Sequence, residues 1–121
     1  MKISIVFPVY NEENNLKNLI NDWYRELNVK LSGEFEFVIV EDGSTDKTKE
    51  IILDLEKNYP IVNLSQIERR GYTKAVLDGI KNSNGEYILC TDSDNQIKVS
   101  SLIQNLNNLP QKNEFLFGFR N

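Results

Sequence analysis

Short apolar runs at 3–9, 35–40, 61–67, 87–90 and 115–117 alternate with stretches whose apolar residues recur at helical spacing. That alternation constrains the fold more than any other feature of the chain. The first stripe is Leu16, Leu19, Ile20, Trp23, Tyr24 and Leu27. Later stripes are Ile51, Ile52 and Leu55, then Ala75, Val76 and Ile80 within 73–81, then Leu102, Ile103 and Leu106. Each gathers on one helix face and needs an apolar partner to cover it. Strands alternating with helices of this length call for βαβ units and a mainly parallel α/β sheet of about five strands flanked by helices. Pro8 stands near the end of its run, where a missing N–H costs least. Asn11 is expected to cap the helix that follows, and Ser44, Thr45 or Asp46 the next one.

A polar cluster closes every run. Tyr10-Asn11-Glu12 follows the first, Glu41-Asp42-Gly43-Ser44 the second and Arg69-Arg70-Gly71 the third. Asp92-Ser93-Asp94 follows the fourth and Arg120 the fifth. In parallel βαβ order all five clusters fall at the carboxyl edge of one sheet. Open α/β sheets bind ligands there, where the strand order reverses.

Asp92 and Asp94 flank one residue of an extended segment, so both carboxylates face the same side. Two hard oxygen donors with open positions suit Mg²⁺ or Mn²⁺ carrying a phosphate. The bland alternative is a pair of solvated loop acids, with Asp94 starting a helix. Pro8 and Tyr10 offer a stiff backbone and an aromatic wall for a nucleobase, unless Tyr10 only covers the sheet end. Asp42 stands where Gly43 lets the chain turn, and is expected to accept hydrogen bonds from a base or ribose. Asp46 is expected to cap a helix. Arg70, with Arg69 and Lys74 nearby, brings cations to the acidic edge, so that a diphosphate would lie between arginine and metal. Arg69 itself reads better as a solvated cation.

The chain has 121 residues, enough for one domain, expected to span 1–121. A net charge of −4 argues against nucleic acid as a partner. The absence of histidine removes His-based general bases, triads and zinc sites. Cys90 is the single cysteine, read as a buried thiol in a reducing compartment. Met1-Lys2 leads straight into an apolar run, and no stretch nears the roughly 20 apolar residues that span a bilayer. A soluble, cytoplasmic chain is the expectation. The first turn carries neither Gly-x-Gly-x-x-Gly nor a P-loop, which disfavours nicotinamide dehydrogenases and P-loop phosphotransferases.

Taken together, three segments resemble family 2 glycosyltransferases of the GT-A fold. They are Val6-Phe7-Pro8-Val9-Tyr10-Asn11-Glu12; Val40-Glu41-Asp42-Gly43-Ser44-Thr45-Asp46; and Gly71, Ala75, Gly79 and Gly85 leading to the Asp-x-Asp. Glu41 departs from the pattern, since Asp is more usual there. Asp92-Ser93-Asp94-Asn95-Gln96 followed by Phe117-Gly118-Phe119-Arg120 is most similar to the polyprenyl-phosphate sugar transferases, the group of dolichol-phosphate mannose synthase.

The resemblance implies a Rossmann-like GT-A sheet and inverting transfer from a UDP- or GDP-linked sugar to a lipid phosphate or glycan acceptor. It implies base and ribose contacts from Pro8, Tyr10, Glu12 and Asp42. It implies diphosphate and Mg²⁺ or Mn²⁺ contacts from Asp92, Asp94 and Gln96, with Arg120 facing phosphate. Asp92 and Asp94 would act catalytically through that metal. Because family members usually run longer, the chain is expected to be the donor-binding part, truncated on its C-terminal side. Missing segments would then bring it to the cytoplasmic face of a membrane, and a homodimer would protect an exposed sheet edge. The alternative is an inert nucleotide-sugar-binding module serving a partner. A nucleotidyltransferase fits less well, because Tyr10-Asn11-Glu12-Glu13 replaces the Gly-rich basic loop that class needs. So does a phospho-receiver, with Glu68-Arg69-Arg70 where its acceptor Asp belongs.

Overall fold

A computed structural model describes residues 2–92 and the backbone of 115–117. Its elements are β1 (Ile3–Val9), α1 (Leu16–Leu31), β2 (Phe35–Glu41), α2 (Thr48–Leu55), β3 (Ile61–Ser65), α3 (Tyr72–Lys81), β4 (Tyr87–Cys90) and β5 (Phe115–Phe117). The expected helix bearing Leu102, Ile103 and Leu106 lies outside the described residues. β3 stops at Ser65, two residues short of the run expected from sequence.

All strand pairs are parallel, in the order β3-β2-β1-β4-β5. The chain steps outward from β1 to β2 to β3, then crosses back to β4. The strand order therefore reverses between β1 and β4. Odd-numbered residues of β1 direct their backbone groups toward β2, as Ile3 N–H donating to Glu34 O (3.1 Å) shows. Even-numbered ones face β4, where Val6 O accepts from Thr91 N–H at 3.0 Å. The β1–β4 register ends at Val6 opposite Cys90. Pro8 follows on that side, so its missing N–H costs no ladder bond and borders the crevice at the reversal.

Both sheet faces are covered, which is why β1 and β2 read as continuous apolar runs rather than alternating ones. On one face Ile3, Ile5, Phe7 and Val9 of β1 join Phe35, Phe37 and Ile39 of β2 beneath α1 and α2. Trp23 of α1 meets Phe7 edge-on, with ring centroids 5.3 Å apart. On the other face Val6, Val38, Val40 and Cys90 pack under Ala75 of α3. Burial pushes the Cys90 thiol up to about 11, so it stays protonated at neutral pH. No helix among the described residues is long and apolar enough to cross a membrane.

The amino edge of the sheet holds a buried polar network. Ser4 Oγ donates to Glu36 Oε2 (2.6 Å) and accepts from Gly85 N–H (2.8 Å). Asn84 donates to Glu36 from its backbone N–H (2.7 Å) and its side chain (3.2 Å), and Lys2 Nζ lies 3.8 Å away. Burial is the largest single influence on Glu36 and acts upward. The hydrogen bonds from Ser4 and Asn84, with the Lys2 charge, outweigh it and hold the carboxyl below its ordinary value. The network lies at the end of the sheet opposite the polar clusters and ties β1, β2 and the entry to β4 together.

Two predictions follow from this packing. A methyl added at Gly79 of α3 would overlap Val6 Cγ1 and stand 3.0 Å from Val40 Cγ2. Gly79→Ala gains about 0.5–1 kcal/mol of helix propensity. Overpacking against two stiff valines costs about 1–3 kcal/mol, so net destabilisation is expected in urea unfolding. A stability increase would mean that α3 does not sit this close to the sheet. For Glu36, a folded pKa below the unfolded one means its contribution is complete above the unfolded value and is lost as pH falls through the folded one. Glu36→Gln should therefore be less stable than the parent at neutral pH and show a flatter loss between about pH 5 and pH 2. Parallel pH profiles for the two proteins would contradict the network's role.

Candidate functional site

At the carboxyl edge the first two loops are tied to each other before any ligand is considered. Asn11 takes a left-handed conformation (φ 52°), which Asn tolerates better than most residues. Its Oδ1 accepts from Thr45 N–H (2.8 Å) and Asp46 N–H (3.3 Å), and its own N–H donates to Ser44 Oγ at 2.9 Å. Asn11 therefore does not cap α1: Asn15 occupies the cap position, without a side-chain cap hydrogen bond, and Glu12 O accepts from both Asn15 and Leu16 N–H. Tertiary partners in the second loop won over the local cap. Glu12 N–H donates to Thr48 Oγ1 (2.9 Å), and Glu12 Oε2 accepts from Asn15 Nδ2 (3.1 Å).

Asp46 is not the cap residue expected of it: Lys47 occupies the cap position of α2, without a side-chain cap hydrogen bond, and Asp46 stands just before it. Asp46 Oδ1 accepts from the Thr48 N–H (2.9 Å) and hydroxyl, and Oδ2 from Glu13 N–H at 3.3 Å. Glu13 returns the contact by accepting from Lys47 N–H at 3.0 Å. Burial acts upward on the Asp46 carboxyl. The donors from Thr48 and Glu13 together prevail and hold it below the usual aspartate range.

Two acids end β2. Glu41 is fully buried; it accepts from Ser65 Oγ (2.7 Å) and from Ser44 N–H, with Lys49 Nζ at 3.7 Å. Lys49 also donates to Gln66 O (2.7 Å), so Glu41 joins the ends of β2 and β3 to α2. Asp42 is buried and spends both oxygens on the loop before α3: Oδ1 accepts from Arg70 N–H (2.7 Å), Oδ2 from Gly71 N–H (2.9 Å). A carboxylate at the start of a helix is also favoured by the helix dipole. What the structure shows of Asp42 is thus an internal role. Gly43 (φ +72°) is required as glycine, because a Cβ there would overlap Arg69 N and Glu68 C.

Arg69 departs from its expected role as a solvated cation. Its guanidinium carbon lies over the Tyr10 ring, 4.0 Å from the centroid, and Nε stands 3.9 Å from Asp42 Oδ2. Tyr10, Asp42 and the Arg69-Arg70-Gly71 loop are therefore one assembly. Asp92 follows β4 across the strand reversal and is half-buried; the hydroxyl of the buried Thr91 before it has no partner among the described residues. Asp94, Gln96 and Arg120 lie outside the described residues. Among the described residues no group of three or more Cys, Asp or Glu side chains is gathered to hold a metal. Asp92 alone of the expected Asp92–Asp94–Gln96 set is described, and its carboxylate oxygens are the hard donors that Mg²⁺ or Mn²⁺ requires.

Residues 4–118 match the profile of Glycosyl transferase family 2. The chain belongs to that family. It is 33% identical over 97 residues to dolichol-phosphate mannosyltransferase of Pyrococcus furiosus, covering 79% of this chain and 26% of the relative. It is 37% identical over 102 residues to dolichyl-phosphate beta-glucosyltransferase of Trichomonas vaginalis, covering 80% of this chain and 32% of the relative. Among solved structures, S. aureus TarS 1-349 in complex with UDP-GlcNAc superposes with a TM-score of 0.72 at 27% identity, over 89% of this chain and 32% of that one. The chain thus spans about a quarter to a third of these family members. Its parallel sheet with flanking helices is of the GT-A type.

Sequence reasoning missed Glu41 and Arg69. The family departure at Glu41 was the available signal: one extra methylene reaches Ser65 on the neighbouring strand. Glu41→Ala strands the Ser44 amide and the Ser65 hydroxyl, and is expected to cost about 2–3 kcal/mol in denaturant unfolding. A loss below about 0.5 kcal/mol, the scale of an ordinary surface change, would show that the buried acid is dispensable.

Proposed function

We propose that this chain is the donor-binding part of an inverting glycosyltransferase that takes a sugar from UDP or GDP. The observation that carries the reading is the convergence of Tyr10, Asp42, Arg69-Arg70 and Asp92 on one sheet edge around the strand reversal, in a chain of family 2. The TarS relative solved with UDP-GlcNAc supports a nucleotide sugar as ligand. The relatives' names, dolichol-phosphate mannosyltransferase and dolichyl-phosphate beta-glucosyltransferase, support a polyprenyl phosphate as acceptor.

In this reading Pro8, Tyr10, Glu12 and Asp42 border the base and ribose, while Arg70 and Arg120 face the diphosphate. Asp92, Asp94 and Gln96 would hold Mg²⁺ or Mn²⁺, which when bound offsets the charge growing on the departing nucleoside diphosphate. The crevice between β1 and β4 holds the donor with its anomeric carbon open to attack from the opposite face, so the configuration inverts. A lipid phosphate acceptor is already anionic at neutral pH, its second pKa being about 6, and needs no general base. Such an acceptor would bring the protein to the cytoplasmic face of a membrane.

Calorimetric titration of the chain with UDP and GDP, with and without Mn²⁺, tests the reading. Metal-dependent binding of one nucleotide is expected. Asp94→Asn should abolish it, whereas Asp46→Asn, which disturbs only the joint between the first two loops, should bind like the parent and unfold at lower temperature. Equal loss of binding in both folded variants, or no nucleotide binding by the folded parent, would refute it.

A further inference from the structure

Among the described residues β3 is the last strand on its side of the sheet. Pro60 O accepts from Phe37 N–H (2.8 Å) and Gln66 N–H donates to Glu41 O (3.0 Å), so even-numbered positions of β3 face β2. The backbone groups of Ile61, Asn63 and Ser65 therefore point away from the sheet. Outer strands are usually guarded by charge, proline or a bulge. β3 holds neither a charge nor a proline, and its register with β2 is unbroken. Beside this edge, on the α3 face, Val62 and Leu64 are only partly buried. On the other face Lys49 Nζ donates to Gln66 O (2.7 Å), which turns one stripe of α2 toward β3. Leu53 and Glu56 follow four and seven positions later on that stripe. Leu53 is 54% exposed, and Glu56 is exposed as well. Asn63, midway along β3, has a buried Oδ1 with no partner among the described residues.

We propose that β3 is the seam of a homodimer, in which a second copy of the chain pairs with it antiparallel about a two-fold axis at Asn63. The edge is self-complementary, as such an axis demands. Asn63 meets the partner's Asn63 and exchanges both backbone bonds with it. Their carboxamides then face each other, which brings a donor to the unpartnered Oδ1. Ser65 N–H donates to the partner's Ile61 O. Val62 lies opposite the partner's Leu64 as a non-hydrogen-bonded pair, where side chains approach most closely, and the open apolar strip beside α3 closes. Along α2 the stripe reads Lys49, Leu53, Glu56. In the reversed copy Lys49 meets the partner's Glu56, and Leu53 meets the partner's Leu53 across the axis. A cation at one end, an apolar centre and an acid at the other make the stripe a match for its own reverse. The seam doubles the five-stranded sheet and leaves the crevice between β1 and β4 open in each copy, so it stands apart from the donor-site reading.

Sedimentation velocity of the intact chain across a wide concentration range is the test. The expected result is a concentration-dependent shift from the 14.0 kDa monomer toward twice that mass. Asn63→Pro removes the central outward donor without touching the ladder to β2. Leu53→Lys sets like charges against each other at the axis. Each variant is expected to weaken the dimer at least tenfold while keeping the parent's far-UV spectrum. Leu53→Lys and Leu53→Glu chains, each monomeric alone, should form a dimer when mixed, because the axis brings position 53 of one copy against position 53 of the other. A folded parent that stays monomeric at every concentration would overturn the proposal. So would a mixture of the two charge variants that does not associate. A dimer that survives Leu53→Lys undiminished would place the contact elsewhere, at the β5 edge for example, and would also overturn it. Position 53 is exposed, so its variants decide the matter even if Asn63→Pro does not fold.

Discussion

The position of β1 at the centre of the sheet governs the rest of the architecture. It pairs with β2 along its whole length but with β4 only up to Val6. Among the described residues, its last positions therefore have a strand neighbour only on the β2 side. Pro8 stands there, where its lack of a donor costs no ladder bond. Everything read as functional is arranged around this half-paired end: Tyr10 just beyond it, Asp42 on the β2 side and Asp92 on the β4 side. The fold makes a crevice because a crossover connection separates β1 from its second neighbour in sequence, and the two strand ends diverge there.

Three acids at this edge hold its loops together, a role that chain chemistry alone does not reveal. Asp42 and Asp46 accept backbone N–H groups from other segments, and Glu41 accepts the Ser65 hydroxyl of β3. Each joins loops far apart in sequence, so the edge is organised before any ligand adds its own contacts. That arrangement favours binding, since less ordering remains to be done when the ligand arrives.

Much of this was legible beforehand. The stripe through Leu16, Ile20, Trp23 and Leu27 turned up buried on α1, as helical periodicity requires. The apolar runs became parallel strands because no alternation exposed one face to water. Gly43 marked a turn, and the structure gives it a positive φ of 72°. The family motifs put the candidate residues at the carboxyl edge, and those among the described residues lie there. What escaped notice was pairwise: Asn11 bonding across to Ser44, Thr45 and Asp46, Glu41 reaching Ser65 and Lys49, and Glu36 meeting Ser4 and Asn84. Those partners lie 8 or more positions away, and in most cases more than 20. No periodicity encodes such a pairing.

The amino-acid order by itself determined the element sequence, the parallel sheet, the family and the edge on which the polar residues gather. These follow from local propensity and hydrophobic spacing, which act over a few residues and are repeated often enough to be read. Only the tertiary structure decided which side chains hold the loops of that edge together. Arg69 shows why. In sequence it is one of two adjacent arginines, and its exposure would suit an idle solvated charge. Its contacts depend on Tyr10 and Asp42 arriving from the ends of two other strands, and a guanidinium is oriented by whichever ring and carboxylate the fold brings within 4 Å.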